Sequence, residues 1–278
     1  MFTVVDQAGR SVMLSSVPKR IVSLVPSQTE LLYYLGLEDE VVGITKFCVH
    51  PKSWFNTKTR VGGTKTVHIE EVRALQPDLI LANKEENVKE QVEILAGIAP
   101  VWVSDVQTLD DALQMITAVG ALVGKDAEAG VLAREIKARF IRLCSDESLP
   151  LVHESKPLIA YLIWRHPYIT VGGDTFISRM IKMAGFANAF ENKQRYPQIT
   201  LDDIAGHGSR YIFLSSEPYP FKPGHAEEIQ KALPGIKIVF VDGELFSWYG
   251  SRLLLAAQYL QELKQKLSGT GAGGTYPA

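Results

Sequence analysis

The residues best suited to chemistry are aromatic rings that stand beside basic and hydroxyl side chains. Three of them, Trp164, Phe246 and Trp248, lie in segments that follow apolar runs in the second half of the chain. Rings surrounded by hydrogen-bond donors suit a large, flat, partly polar ligand, which is stacked on its faces and bonded at its rim. The competing interpretation is that each ring is a core residue at the end of a strand. The segments that follow apolar runs are 26–29, 46–50, 83–86, 164–168, 215–217 and 246–249.

His50 and Cys48 form a second group, because imidazole and thiolate are common ligands of transition metals. Two ligands do not complete a site, since a structural zinc site needs four at recognisable spacing. His166 is a comparable candidate, with a histidine on a surface loop as the alternative. The sequence therefore predicts no metal or cofactor of the protein's own, and leaves His50 as a candidate ligand.

Known catalytic patterns do not fit the chain. The pairs Gly62-Gly63 and Gly172-Gly173 match neither a dinucleotide fingerprint nor a phosphate-binding loop, and indicate turns. The sequence has no Gly-x-Ser-x-Gly elbow and no His-Glu-x-x-His helix. Glu85 and Glu217 cannot be paired as acid and base from sequence alone. We therefore expect a protein that is not an enzyme.

A sheet must position these residues, and the first half of the chain has the pattern of one. Short apolar runs alternate with helical patterns, which is typical of strand–helix–strand units in a largely parallel sheet. Pro77 disfavours helical geometry in the residue before it, and so separates a helix from the next strand. The predicted strands are 21–25, 41–45, 79–82 and 101–103, and the predicted helices are 29–35, 69–75 and 88–95.

A long helical stretch without strand signals follows. Asp126 can cap a helix over 127–143, about five turns long, which we interpret as a connector between two lobes. Two such lobes imply a cleft lined by the segments after the strands. The later strands are predicted at 158–163, 211–214 and 238–241, and the helices at 175–184, 201–205, 225–232 and 252–267. The predicted domains are an N-terminal lobe (1–124), a connecting helix (125–147), a C-terminal lobe (148–267) and a flexible tail (268–278).

Length and composition agree with this division. The 278 residues exceed a usual domain of about 100–200 residues, which favours two lobes. The net charge is −2 and the sequence has no basic cluster, so nothing in it predicts a positively charged surface that would bind nucleic acid. The start of the chain lacks the features of a secretory signal. Cys48 and Cys144 fall in different predicted units, so we expect no disulfide between them.

Several segments occur in the order of one known family. They are 18–30, 60–63, 69–80 and 196–200, and the opening residues 5–10 match that family's N-terminal hairpin. The chain resembles the periplasmic binding proteins of ABC importers for cobalamin, haem and iron-siderophores, the helical-backbone metal receptors. The resemblance extends from about residue 2 to 267. It implies an α/β fold of class III architecture, in which two Rossmann-like lobes with central sheets are joined by a single long backbone helix.

Within this family the chain is most similar to the cobalamin binders, through 26–30, 195–198 and 246–252. The resemblance implies a monomer that captures cobalamin or another corrinoid for the permease dimer of an ABC importer. Haem and ferric siderophores are alternatives, since the basic residues near the predicted cleft would suit anionic groups; these are Lys46, Lys84, Arg165, Arg195 and Arg252. The expected ligand contacts are Ser27, Gln28, Thr29, Phe47, His50, Lys65, Lys84, Trp164, Arg165, Arg195, Tyr196, Phe246, Trp248 and Tyr249.

The resemblance also implies one acidic docking residue for the transporter in each lobe. The matching positions are Glu70 and Asp202, although an acidic residue in the first turn also stabilises a helix N-terminus. His50 beside Cys48 departs from the cobalamin binders, and the imidazole could be an axial ligand on cobalt or contact haem iron. The family implies a periplasmic or membrane-surface location, with cytoplasm as the alternative.

Two rival functions remain open at this point. One is an intracellular carrier of a corrinoid or metal cofactor, which is favoured if the native protein begins at Met1. The other is an enzyme on the two-lobed α/β fold of nitrogenase-like proteins, which hold metal clusters between their lobes. Such proteins typically need several cysteines at the interface, and this chain has only Cys48 near its predicted cleft.

Overall fold

A parallel five-stranded sheet lies at the centre of the first of two units. In the computed structural model, which describes residues 2–145 and 156–267, this unit comprises Met1–Ile136 and Trp248–Leu253. Its strands are β1 (Phe2–Val5), β2 (Ser11–Leu14), β3 (Ile21–Ser23), β4 (Val41–Ile44), β5 (Thr59–Arg60), β6 (Leu79–Asn83) and β7 (Val101–Ser104). The sheet order is β5-β4-β3-β6-β7 with every pair parallel, and β1 and β2 form a separate hairpin. The strands β3, β6 and β7 are buried along their whole length, which explains their unbroken apolar runs.

Helices connect these strands, and their starts follow local chemistry. Pro26 occupies the first turn of its helix, where its missing N–H is no loss. Thr108 and Asp111 form a reciprocal capping box at the start of a long helix. The helices are α1 (Pro26–Tyr34), α2 (Lys52–Thr57), α3 (Ile69–Ala74), α4 (Lys89–Ala96) and α5 (Leu109–Leu122). The short helix α2 and the two-residue strand β5 were not predicted from the sequence.

The N-terminal hairpin covers the edge of the sheet at β7. The backbone N–H of Gln7 donates to the carbonyl of Val103 at 3.1 Å, and the N–H of Val103 donates to Oδ2 of Asp6 at 3.1 Å. Arg10 adds a bond of 2.9 Å to the carbonyl of Val101. An uncovered edge strand would present unpaired backbone groups to other chains, so the hairpin protects this edge.

The helix α6 (Asp126–Ser145) follows α5, and it extends beyond the predicted helix, 127–143, at both ends. The division between the two units falls inside α6, after Ile136. The connecting role of this helix and the predicted domain boundaries stay predictions. The predicted flexible tail, 268–278, and the polar stretch 146–155 lie outside the described residues.

The second unit comprises Lys137–Ser247 and Leu254–Ala278 and is built on a six-stranded mixed sheet. Its strands are β8 (Leu158–Trp164), β9 (Tyr168–Thr170), β10 (Ala187–Asn188), β11 (Gln198–Ile199), β12 (Tyr211–Ser215) and β13 (Lys237–Val241). The order is β11-β9-β8-β12-β13, and β10 also pairs with β8. The pairs of β8, β12 and β13 are parallel, whereas β9 and β11 run antiparallel to their neighbours. These findings confirm an α/β fold with a central sheet in each of two units.

The helices of the second unit are α7 (Phe176–Met183), α8 (Leu201–Gly206), α9 (Pro223–Ala232), α10 (Glu244–Ser247) and α11 (Leu253–Leu267). Thr200 and Asp203 form a second capping box, at the start of α8. The apolar core contains Phe190, Ile204 and Leu214. None of the described helices is long and apolar enough to span a bilayer. Cys48 and Cys144 form no disulfide.

Candidate functional site

The candidate residues fall into two groups, one in each unit. The first group centres on the segment Trp248–Leu253, which belongs to the first unit although its sequence neighbours on both sides belong to the second. We call it the 248–253 segment. Gly250 has a φ of +115°, and a Cβ at this position would lie 3.1 Å from the carbonyl oxygen of Ser27. Only glycine fits without strain where a backbone with this φ approaches another backbone so closely. Gly250 therefore allows the 248–253 segment to pack closely against the start of α1.

An ion pair fixes the far end of the 248–253 segment. Arg252 donates from Nε and Nη2 to the two carboxylate oxygens of Glu30, at 2.8 and 2.7 Å. The side chains are 10% and 19% exposed, so solvent screens this pair much less than a surface pair. Paired donors on a guanidinium match the geometry of a carboxylate and set direction as well as distance.

Trp248 contacts both the guanidinium of Arg252 and the imidazole of His50. The Arg252 guanidinium carbon is 4.8 Å from the indole centroid, and the His50 ring meets the indole edge-to-face with centroids 5.5 Å apart. Both contacts are favourable for an aromatic ring, since its face attracts cations and its edge is positive. Two of the predicted ligand contacts, His50 and Trp248, are thus neighbours.

Tyr249 is buried, and its phenolic oxygen donates to Oε1 of Glu86 at 3.0 Å. Burial, reinforced by the charge of Glu86, raises the pKa of Tyr249 well above its ordinary value. The phenol therefore stays neutral and holds its proton toward Glu86. Sequence reasoning did not identify Glu86 or Glu30 as partners of this segment, because nothing local marks a contact between such distant residues.

The first turn of α1 is buried, and it contains Gln28 and Thr29, two of the expected ligand contacts. Gln28 donates from Nε2 to Oγ of Ser104 at 2.6 Å, and Thr29 donates to Oγ of Ser23 at 2.8 Å. Neither side chain has exposed surface, so both hold this turn in place, and their contact with the ligand stays a prediction. Ser27 is also buried, at 3% exposure.

Cys48 lies behind this turn, out of reach of solvent. The hydroxyl oxygen of Thr29 lies 3.0 Å from its sulfur, and that of Thr45 lies 3.2 Å from the same atom. Burial raises the pKa of the Cys48 thiol from 9.0 to about 11. A protonated, buried thiol is a poor metal ligand. In the described part of the chain, no group of three or more His, Cys, Asp or Glu side chains is arranged to hold a metal ion.

The remaining candidates of the first unit are exposed. Phe47 is 50% exposed, and Nζ of Lys46 stands 5.2 Å from its ring centroid. Lys65 donates to the carbonyl of Glu85 at 2.6 Å, and Lys84 pairs with Asp105. The two lysines are therefore tied to neighbouring loops within their own unit.

In the second unit, Trp164 and Arg165 lie at the end of β8. Trp164 is 40% exposed, and its ring meets that of Tyr219 edge-to-face at 5.5 Å. Arg165 is half-buried and pairs with Glu228, and this bond raises the pKa of Arg165 and lowers that of Glu228. His166, the second histidine candidate, is exposed.

Arg195 and Tyr196 are both exposed and contact each other, with the guanidinium carbon 5.6 Å from the tyrosine centroid. Arg195 also lies 4.0 Å from a carboxylate oxygen of Asp174. Phe246, by contrast, has no exposed surface and packs against Tyr161 at 5.1 Å between centroids. The ring of Phe246 fills the core of the second unit, and its role as a ligand contact stays a prediction.

Comparison with known proteins decides the family. Residues 21–237, well over half of the chain, match the periplasmic binding proteins. The chain belongs to this family. The result confirms the resemblance drawn from the sequence motifs, and periplasmic binding proteins are transport components rather than enzymes.

This periplasmic binding protein is similar to an uncharacterized ABC transporter substrate-binding lipoprotein, YvrC, of Bacillus subtilis strain 168. The two are 30% identical over 269 residues, which cover 94% of this chain and 84% of the relative. A vitamin B12-binding protein of Pectobacterium atrosepticum is 24% identical over 248 residues, 88% of each chain. A solved structure of the periplasmic heme-binding protein RhuT from Roseiflexus sp. RS-1 has a TM-score of 0.76 at 20% identity, over 90% of this chain and 99% of that one. That likeness shows a shared fold.

The two acidic residues expected at the docking surface of this periplasmic binding protein occupy equivalent positions. Glu70 is the second residue of α3 and Asp202 the second residue of α8. Both side chains are exposed, and Glu70 interacts with Arg73 at 3.3 Å, one turn away. Their placement satisfies both interpretations, since each can favour its helix N-terminus and still face a basic partner.

Proposed function

We propose that this periplasmic binding protein captures a corrinoid, cobalamin or a close relative, and delivers it to an ABC importer. The ring-bearing side chains support a flat ligand, because Trp164 and Tyr196 are exposed and His50 contacts Trp248, all in segments expected to contact it. The similarity to a vitamin B12-binding protein supports the same cargo.

The observation that favours a corrinoid over the anionic alternatives is the pairing of the basic side chains. Four of the five candidate cations have a carboxylate partner within their own unit: Lys84 with Asp105, Arg165 with Glu228, Arg195 with Asp174 and Arg252 with Glu30. Haem propionates or a catecholate complex would have to compete with these carboxylates for their cations. The rim of a corrin ring carries neutral amides, which need hydrogen-bond partners and no net positive charge.

Thermal unfolding in the presence of candidate ligands tests this choice. A ligand that binds only the folded protein stabilises it by about 2.7 kcal/mol when present at about 100 times its Kd. We expect cyanocobalamin and dicyanocobinamide to raise the Tm, and haemin and a ferric catecholate to leave it unchanged at the same concentrations. A rise in Tm with haemin alone would show that the ligand is haem and not a corrinoid.

We also propose that Glu70 and Asp202 dock the loaded protein to basic residues of its transporter, on the outer side of the membrane. The experiment measures association of the protein with detergent-solubilised permease for E70A, D202A and the double variant. Weaker association with unchanged ligand affinity is the expected result. Glu93→Ala, which removes another exposed carboxylate of the first unit, is the matched control. If E70A, D202A and the double variant associate with the permease as strongly as the wild type, the docking role is wrong.

A further inference from the structure

The 248–253 segment contains Trp248, which is expected to contact the proposed ligand, and Arg252, whose charge is taken up by Glu30. Arg252 is one of the cations that would suit an anionic ligand. Its Nε and Nη2 instead donate to Glu30 at 2.8 and 2.7 Å. With a side chain only 10% exposed, Arg252 is held inside the first unit.

The same guanidinium has a second contact, on its flat face. Its central carbon lies 4.8 Å from the ring centroid of Trp248, a residue that is 8% exposed. The same ring also meets His50 edge-to-face, with centroids 5.5 Å apart. Four side chains therefore form a continuous series within one unit, in the order Glu30, Arg252, Trp248 and His50.

The backbone fixes the position of the first residue of this series, Glu30, and the other side chains are positioned from it. Glu30 lies on α1, about one turn after Ser27, and Gly250 lies against the carbonyl oxygen of Ser27. Because α1 is packed on the sheet, Glu30 is a fixed point, and the bidentate bond transfers that fixed position to the guanidinium. A planar guanidinium held at its edge in turn limits the orientations open to the indole above it.

We propose that Glu30 and Arg252 are positioning residues, which hold the Trp248 ring against His50 in the orientation that receives the ligand. Because Trp248 contacts a ligand only under the proposed function, the effect on affinity rests on that function. The orientation of Trp248 in the ligand-free protein does not, and it can be measured separately.

The first arm of the test measures the ring without ligand. The chain has four tryptophans, so protein labelled with 5-fluorotryptophan should give four 19F resonances, which Trp→Phe variants assign. We expect E30Q and R252M to shift or broaden the Trp248 resonance and to leave that of Trp54, a buried ring of the same unit, unchanged. R252K retains the charge without the planar fork and should restore the resonance only in part. An unchanged Trp248 resonance in E30Q and R252M would overturn the proposal.

The second arm measures cyanocobalamin affinity in a double-mutant cycle. We expect E30Q to weaken binding about tenfold in the wild-type background, and to have little further effect in W248F, because the pair acts through that ring. Equal effects in both backgrounds would overturn the positioning role. Glu93→Gln, which neutralises an exposed pair with Lys89 in the same unit, is the control and should change neither readout.

The two arms separate failure of the positioning role from failure of the proposed function. If the wild-type protein does not bind cyanocobalamin, the corrinoid function fails, while the 19F resonances still decide the positioning role. If R252M does not fold, E30Q alone decides, since it changes one charge and almost no volume.

Discussion

Tyr249 donates a hydrogen bond of 3.0 Å from its phenolic oxygen to Oε1 of Glu86, a residue 163 positions earlier in the chain. The bond ties the 248–253 segment to the loop that follows β6. Together with the ion pair between Arg252 and Glu30, it attaches a short piece of the late sequence to the first unit at two points. We expect the contact between Trp248 and His50 to depend on these attachments.

The buried phenols predict a loss of stability in alkali. Burial raises the pKa of Tyr249 and of Tyr161 well above the ordinary value of 10.0, so the native state keeps protons that the unfolded state releases. This contribution is fully present below pH 10 and is lost as pH rises above it, so the free energy of unfolding falls there. Urea unfolding at a series of pH values above 10 should show the free energy of unfolding falling with pH. The fall should be shallower in Tyr161→Phe than in the wild type. The exposed Tyr34→Phe should keep the wild-type slope, and a wild-type slope in Tyr161→Phe would contradict the assignment.

The two cysteines should differ sharply in reactivity. Cys48 is buried with a pKa raised to about 11, whereas Cys144 is exposed. Since the thiolate is the nucleophile, we expect a thiol reagent at neutral pH to modify Cys144 in the native protein and both residues after unfolding. Mass spectrometry of the peptides identifies the modified site. Rapid modification of native Cys48 would show that the loop from Thr45 to His50 opens readily.

Gly250→Ala should destabilise the first unit. The φ of +115° is unfavourable for alanine, and the added Cβ would press on the Ser27 carbonyl oxygen at 3.1 Å. We expect the free energy of unfolding to fall by about 1–3 kcal/mol, together with ligand affinity. Gly224→Ala is the matched control, because nothing lies within 4 Å of its added Cβ and it stands in the helix α9. Equal stability of the two variants would contradict the close approach.

The His50 hypothesis predicts a spectral change. If the imidazole replaces water on cobalt, mixing the protein with aquocobalamin shifts the visible absorption bands, and His50→Ala removes the shift. Cyanocobalamin is the control ligand, since cyanide already occupies the upper axial position. The same spectrum for aquocobalamin with wild type and with His50→Ala would rule out coordination by this residue.

The main strands and helices could be predicted because their signals are local. The runs at β3, β6 and β12 are buried from end to end, and proline and glycine mark several boundaries. The two-residue strands β10 and β11 could not be predicted, since so short a segment has no periodicity. Their pairing depends on neighbours brought together by the fold.

The candidate site was less predictable, and Phe246 and Trp248 show why. The two rings are two positions apart and follow the same strand, yet Phe246 fills the core of the second unit and Trp248 packs in the first. A residue pattern does not reveal which unit a ring will join. Likewise, the pairing of Arg252 with Glu30 spans 222 positions and has no local signature.

Isothermal titration of the purified protein with cyanocobalamin and with haemin tests the proposed corrinoid cargo. We expect saturable binding of one cyanocobalamin per chain at micromolar concentration or tighter, with much weaker binding of haemin. It also predicts that W248A weakens the corrinoid complex. Haemin binding in the absence of any corrinoid binding would contradict the account.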